Sequence, residues 1–130
     1  MNKNHRVLIV DDDIDFVEQL DVVLSKAGFS VVKAMSKAEA EKLLDEQAPD
    51  IAIVDLMMEN PDAGFVLCYK IKTVNPNIPV ILVTSVSSET NIEFNPRTQE
   101  EKDWIKADAF LSKPIRFEQL KREMERLLGV

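Results

Sequence analysis

Two rhythms of apolar and polar residues alternate along this chain. One is the short unbroken apolar run: Val7-Leu8-Ile9-Val10, Ile51-Ala52-Ile53-Val54 and Val80-Ile81-Leu82-Val83. Runs of this length read as strands buried on both faces, as in parallel sheets. The other is a longer stretch with apolar residues at helical spacing. Residues 5–10 form the first predicted strand. Residues 14–27 follow as a helix, with Phe16, Val17, Leu20, Val23 and Leu24 on one face and Gly28 as the stop. Residues 29–34 make a second strand. Ser36-Lys37-Ala38-Glu39 has the form of a capping box and opens a helix that runs to about Glu46. Pro49 precedes the third strand, 50–55. Asp62 is placed to cap a helix that buries Val66, Leu67, Ile71 and Val74 and stops at Asn75-Pro76. Residues 79–84 form a fourth strand and 109–112 a fifth, with a helix expected over 98–105 between them. A last helix, 116–128, places Phe117, Leu120, Met124, Leu127 and Leu128 together.

Five strands alternating with five helices predict an α/β domain with a parallel sheet. Right-handed crossovers leave few topologies, and the most economical is the flavodoxin-like (βα)5 three-layer sandwich with strand order 2-1-3-4-5. Residues 1–130 are expected to be a single domain, with its core over about 5–128. In this order strands one and three are neighbours where the winding reverses. Ligands of such sheets sit there, beyond the carboxyl ends of the strands.

That prediction gives meaning to the charges that end the strands. The first strand runs into Asp11-Asp12-Asp13, and the third ends on Asp55. A buried strand has no packing reason to finish on a carboxylate. Carboxylates converging in one cleft repel each other unless a cation neutralises them. Oxygen ligands without His or Cys favour Mg²⁺, or Mn²⁺, over Zn²⁺. Asp13 has a simpler reading, as the cap of the helix that starts at Ile14. Thr84 ends the fourth strand beside the small Ser85, where a hydroxyl can donate to a phosphoryl oxygen. Lys113, ahead of Pro114, brings a positive charge to the same edge.

Composition narrows the partners. The net charge is −7, with 45% hydrophobic and 30% charged residues. This is a globular balance that repels a phosphate backbone, so neither direct nucleic-acid binding nor an anionic membrane surface is expected. No apolar stretch approaches the roughly 18 residues of a membrane span. The opening Met-Asn-Lys-Asn-His-Arg leads straight into a strand, without the form of a signal peptide. With a single cysteine, Cys68, unable to form an internal disulfide, the expected location is cytoplasmic. No glycine-rich phosphate loop follows the first strand, because the three glycines stand at 28, 64 and 129.

Taken together, Val10-Asp11-Asp12, Ile53-Val54-Asp55, Val83-Thr84-Ser85 and Phe110-Leu111-Ser112-Lys113-Pro114 closely resemble the receiver domain of two-component response regulators. The resemblance covers about residues 5–128, with every motif at a strand end. It implies that Asp55 is the phosphate acceptor and that the phosphoryl group comes from a sensor histidine kinase or a phosphotransfer protein. Asp12 and Asp55 would ligate Mg²⁺, Asp11 would hold it through water, and the backbone carbonyl of Met57 would be a further ligand. Thr84 would donate to the phosphoryl group, and Lys113 would pair with Asp55 and then with the phosphate across a cis Lys113–Pro114 bond. Phosphorylation would move Thr84 and, if Phe110 is an aromatic switch and not plain core packing, turn Phe110 inward. The face built by the helix over 98–105, the fifth strand and the last helix would then meet a downstream protein or a second copy in a phosphorylation-linked homodimer. The implied role is a signalling phosphoacceptor, not an enzyme.

The chain also departs from the family pattern. The segment Leu56 to Gly64 is one residue longer than usual, with Glu59 where the family has a proline. Between Thr84 and Lys113 the chain is longer by about seven residues, roughly two helical turns. A polar loop over 85–97 is expected there, with Trp104 on a short helix, either packed on the core or anchoring a partner. Met57 and Val86 are apolar and cannot orient an attacking water, so slow self-dephosphorylation is expected. A Mg²⁺-dependent phosphohydrolase using Asp55 is the rival from another class, although Met57 stands where such an enzyme carries its second acid. A non-phosphorylated binding module is the other rival. The last predicted helix ends close to Val130, which suggests a stand-alone receiver, although a receiver excised from a longer protein would read the same way.

Overall fold

The computed structural model describes residues 5–56, 63–85 and 107–129. Five strands, β1 (Arg6–Val10), β2 (Ser30–Ala34), β3 (Ile51–Asp55), β4 (Val80–Ser85) and β5 (Ala109–Lys113), form one sheet. All neighbours are parallel, in the order β2-β1-β3-β4-β5. Four helices lie among the described residues: α1 (Ile14–Lys26), α2 (Lys37–Glu46), α3 (Ala63–Val74) and α4 (Phe117–Leu128). The flavodoxin-like α/β architecture is thus the one expected. Element ends differ from the sequence reading by a residue or two, as fraying ends do. The helix expected over 98–105, the 85–97 loop beyond Ser85, Trp104, the cap at Asp62, and Met57 and Val86 lie outside the described residues.

Alternation along the strands explains the three layers. Successive side chains of a strand point to opposite faces. On β1, Val7 and Ile9 join Val17, Leu20, Leu24, Leu120 and Met124 in the core under α1 and α4. Leu8 and Val10 join Ala40, Leu44, Leu67 and Ile71 in the core under α2 and α3. The central strand β3 is buried at every position. Continuous apolar sequence is what such a strand requires, since both of its faces are covered.

Local signals place the helices. Asp13 caps α1, its Oδ1 accepting from Asp15 N at 3.1 Å and Phe16 N at 3.3 Å. Gly28, at φ 100°, makes the turn into β2 in a backbone region few other residues enter. Ser36 caps α2, accepting from Glu39 N at 3.1 Å. The return contact of the capping box goes to Met35 N, at 2.8 Å from Glu39 Oε1, and not to Ser36 itself. At the edge opposite the strand carboxyl ends, Lys72 Nζ meets Asp108 Oδ2 at 2.7 Å and Ile78 O at 2.8 Å. Asp108 Oδ2 also accepts from Val80 N at 2.8 Å. That cluster ties the end of α3 to the start of β4 and to the residue before β5. Among the described residues, no helix is long and apolar enough to cross a membrane.

Cys68 lies fully buried on α3, in the core between α2 and α3. Burial pushes its thiol up to about 12, because the thiolate is the form that loses solvation. A disulfide reagent at pH 8 should therefore leave the folded protein unlabelled on the timescale in which it labels the denatured chain. A burst of labelling without denaturant would show that this core opens.

Candidate functional site

Register brings the site together. Val10 pairs with Val54, and Asp55 with Val83. Asp11 therefore follows directly after the paired end of β1, next to the end of β3. Thr84 pairs with Ser112, and Ser85 with Lys113. Asp11, Asp55, Thr84 and Lys113 consequently arrive at one edge of the sheet, where β1 and β3 are neighbours. The backbone seals this edge. Asp11 N donates to Ala34 O at 3.1 Å, and Leu56 N to Val83 O at 2.8 Å.

One carboxylate oxygen from each of Asp11, Asp12 and Asp55 lies within 4.8 Å of the other two. Asp11 is 1% exposed and Asp55 6%, whereas Asp12 stands at the open rim. Asp11 Oδ1 accepts from Asp13 N at 2.9 Å. Its Oδ2 meets Lys113 Nζ at 2.9 Å. That contact is ionic and lacks hydrogen-bond alignment, so among the described residues the buried Oδ2 has no hydrogen-bond donor. The same ammonium stands 4.3 Å from the centroid of the Phe16 ring.

These features fit a hard divalent cation. Among the described residues, three carboxylates against one ammonium leave two formal negative charges in a mostly buried edge, a state a dication relieves. The ligand atoms on offer are all oxygens. Two direct ligands of Mg²⁺ at about 2.1 Å can be about 4.2 Å apart. A cluster within 4.8 Å is therefore close to closed around such an ion, and a water can complete it.

The residues singled out in the sequence separate as follows. Asp11, Asp12, Asp55 and Lys113 converge, and Thr84 is the last residue but one of β4, beside β3. Asp13 turns to the helix and caps it. Phe110 is half-buried on β5, paired in register with Leu82, and packs on the core under α2 and α3. The Lys113–Pro114 bond is cis. Met57 lies outside the described residues. Two further residues stand beside these. Phe16 reads only as one more apolar residue of the α1 stripe, and its place over Lys113 depends on how α1 seats against β5. Gly64 touches the site through backbone: a Cβ there would stand 2.5 Å from Asp55 O and from Leu56 Cα.

Known proteins resemble this chain over most of its length. The family model described as the response regulator receiver domain matches residues 7–125. The transcriptional regulatory protein ZraR of Escherichia coli is 34% identical over 129 residues, covering 97% of this chain and 27% of ZraR. The chain thus spans about a quarter of the length of the curated relatives it matches. Among solved structures, a CheY-like receiver domain protein of Methanospirillum hungatei superposes with a TM-score of 0.81 at 24% identity, over 98% of this chain and 95% of that one. The response regulator TrrA of Thermotoga maritima, in complex with Mg²⁺–BeF, superposes with a TM-score of 0.75 at 25% identity, over 94% and 97%. Matched from the first strand into the last helix, and carrying its acidic cluster where the sheet reverses, the chain belongs to the response regulator receiver domain family.

Proposed function

We propose that Asp55 is the phosphoryl acceptor of this receiver domain and that Asp11, Asp12 and Asp55 hold Mg²⁺, or Mn²⁺, with the backbone carbonyl of Met57 as a further ligand. The observation that carries this reading is the convergence of three carboxylate oxygens within 4.8 Å at the reversal point of the sheet, with the Lys113 ammonium against Asp11. The complex of TrrA with Mg²⁺–BeF supports the same choice of cation.

In this reading an Asp55 oxygen attacks the phosphorus of a phosphohistidine on a sensor histidine kinase or phosphotransfer protein. A P–O bond forms and the P–N bond breaks. The histidine nitrogen keeps the electron pair and is protonated. Such a transfer asks the protein for alignment and charge neutralisation more than for acid–base chemistry. Bound Mg²⁺ would supply neutralisation to the phosphoryl oxygens. Lys113 adds a positive charge from the chain itself, and Thr84 donates its hydroxyl. Asp55 is nearly buried, which limits the water that could compete.

The product carries about −1.5 to −2 charges and three strong acceptors at the sheet edge. Thr84 turns toward those acceptors, and Phe110, on the strand next to Thr84, responds to the space that is vacated. The face around β5 and α4 then presents a changed surface to a downstream protein or to a second copy of the chain. The domain acts through protein partners, as its charge of −7 disfavours direct contact with nucleic acid.

Intact mass after incubation with acetyl phosphate tests the reading. One phosphoryl group should be gained in Mg²⁺ and none in excess chelator. A folded chain that gains nothing would be a binding module, and phosphate released without an adduct would make it a hydrolase.

A further inference from the structure

We infer that Phe16 is a positioning residue for Lys113: the face of its ring keeps the lysine ammonium beside the acidic cluster when a divalent cation draws on Asp11. The inference rests on the phosphoacceptor reading for the second of its two consequences only.

Among the described residues, Lys113 Nζ stands 2.9 Å from Asp11 Oδ2 and 4.3 Å from the centroid of the Phe16 ring. Its side chain is 20% exposed. A groove of about 520 Å³ opens beside it between α1 and the start of α4, lined among others by Gln19, Leu20, Val23 and Phe117. A lysine stem is long and gains rotamer freedom when released, so the ammonium has somewhere to go. The two holds respond differently to a dication. Asp11 offers the same carboxylate to the ion, and the ion then repels the ammonium. The uncharged ring offers the ion no ligand and keeps its attraction for the ammonium. The ring therefore favours keeping the positive charge at the sheet edge over a swing into the groove.

Two consequences follow, of opposite sign. An ammonium retained beside the cation repels it, so Phe16 weakens Mg²⁺ binding. The same ammonium is already in place when the phosphoryl group arrives, so Phe16 speeds its transfer. An exposed cation–π contact corresponds to about two- to fivefold in each.

Monofluorinated and trifluorinated phenylalanine at position 16 test this, because fluorine drains the negative face of the ring with little change of shape. Mg²⁺ affinity is read by calorimetry, phosphoryl uptake from acetyl phosphate at saturating Mg²⁺, and Tm as a control. The trifluorinated chain should bind Mg²⁺ about two- to fivefold more tightly and take up phosphoryl about two- to fivefold more slowly, with a Tm lowered by no more than about 4 °C. The monofluorinated chain should fall between, and Phe16→Trp should keep wild-type behaviour. In Lys113→Met the fluorine series should have no effect on Mg²⁺. Mg²⁺ affinity that ignores fluorination, or that falls together with uptake as in a loosened fold, overturns the inference. The Mg²⁺ titration decides it even for a chain that accepts no phosphoryl group, so its failure is separable from failure of the acceptor role.

Discussion

Replacing Asp55 with Asn should abolish phosphoryl uptake from acetyl phosphate and leave the fold intact. The amide preserves the shape of a side chain that is 6% exposed at the end of a fully buried strand. It does not preserve a carboxylate oxygen able to attack phosphorus. Neither neighbour is placed to substitute. Asp11 is more deeply buried, with Oδ1 accepting from Asp13 N and Oδ2 against Lys113. Asp12 is at the exposed rim, where solvent competes for any bond formed. Asn would also remove one of the three negative charges expected to draw a dication, so Mg²⁺ binding should weaken in the same variant. Intact mass should show one added phosphoryl group on the wild type in Mg²⁺, lost on treatment with hydroxylamine as an acyl phosphate would be, and none on Asp55→Asn. A Mg²⁺-dependent, hydroxylamine-labile adduct on the Asn chain would place the acceptor elsewhere and remove the basis of the proposed function.

Much of this molecule is legible in its sequence because its constraints are local or periodic. Val7-Leu8-Ile9-Val10 and Ile51-Ala52-Ile53-Val54 must be strands covered on both sides, and the structure divides their alternate residues between two cores. Ser36 and Asp13 declare their helix starts by residue type, and both cap as expected. The acidic cluster is legible for a different reason. Once the strand order is 2-1-3-4-5, every strand-end residue has an address, and Asp11, Asp12 and Asp55 share one. What the sequence withholds are contacts that depend on how one layer seats on another. Lys72 and Asp108 are separated by 36 positions, and nothing in either segment announces their 2.7 Å contact. Phe16 satisfies the α1 stripe whether or not a lysine lies over its ring. Gly64 is visible as a glycine, but the closeness of Asp55 and Leu56 backbone to it is a fact of helix–strand packing.

That closeness sets the second large expected effect. Gly64→Ala should lower stability by about 3 kcal/mol, the upper end for forcing an extra methyl into a packed interior. For a domain of this size the loss corresponds to a fall in Tm on the order of 10 °C. The added Cβ would stand 2.5 Å from Asp55 O, 2.5 Å from Leu56 Cα and 2.7 Å from Leu56 O. None of these atoms is the end of a flexible side chain that could turn aside. Gly64 N also donates to Leu56 O at 3.0 Å, which holds the start of α3 against the end of β3. Relief must come from moving α3 outward or from moving the Asp55–Leu56 backbone. The second movement would displace the carboxylate proposed as acceptor, and a shift on the order of 1 Å costs about 10²-fold in a reaction that depends on alignment. Gly28→Ala is the matched control. Its Cβ meets nothing within 4 Å, but its φ of 100° is strained for alanine. It should cost about 1–2 kcal/mol from backbone strain and leave the rate of phosphoryl uptake unchanged. If uptake by Gly64→Ala matches that of Gly28→Ala once both are folded, the backbone of Asp55 is not what Gly64 protects. If uptake falls in Gly64→Ala alone, the glycine is required by the position of the acceptor as well as by the packing of α3.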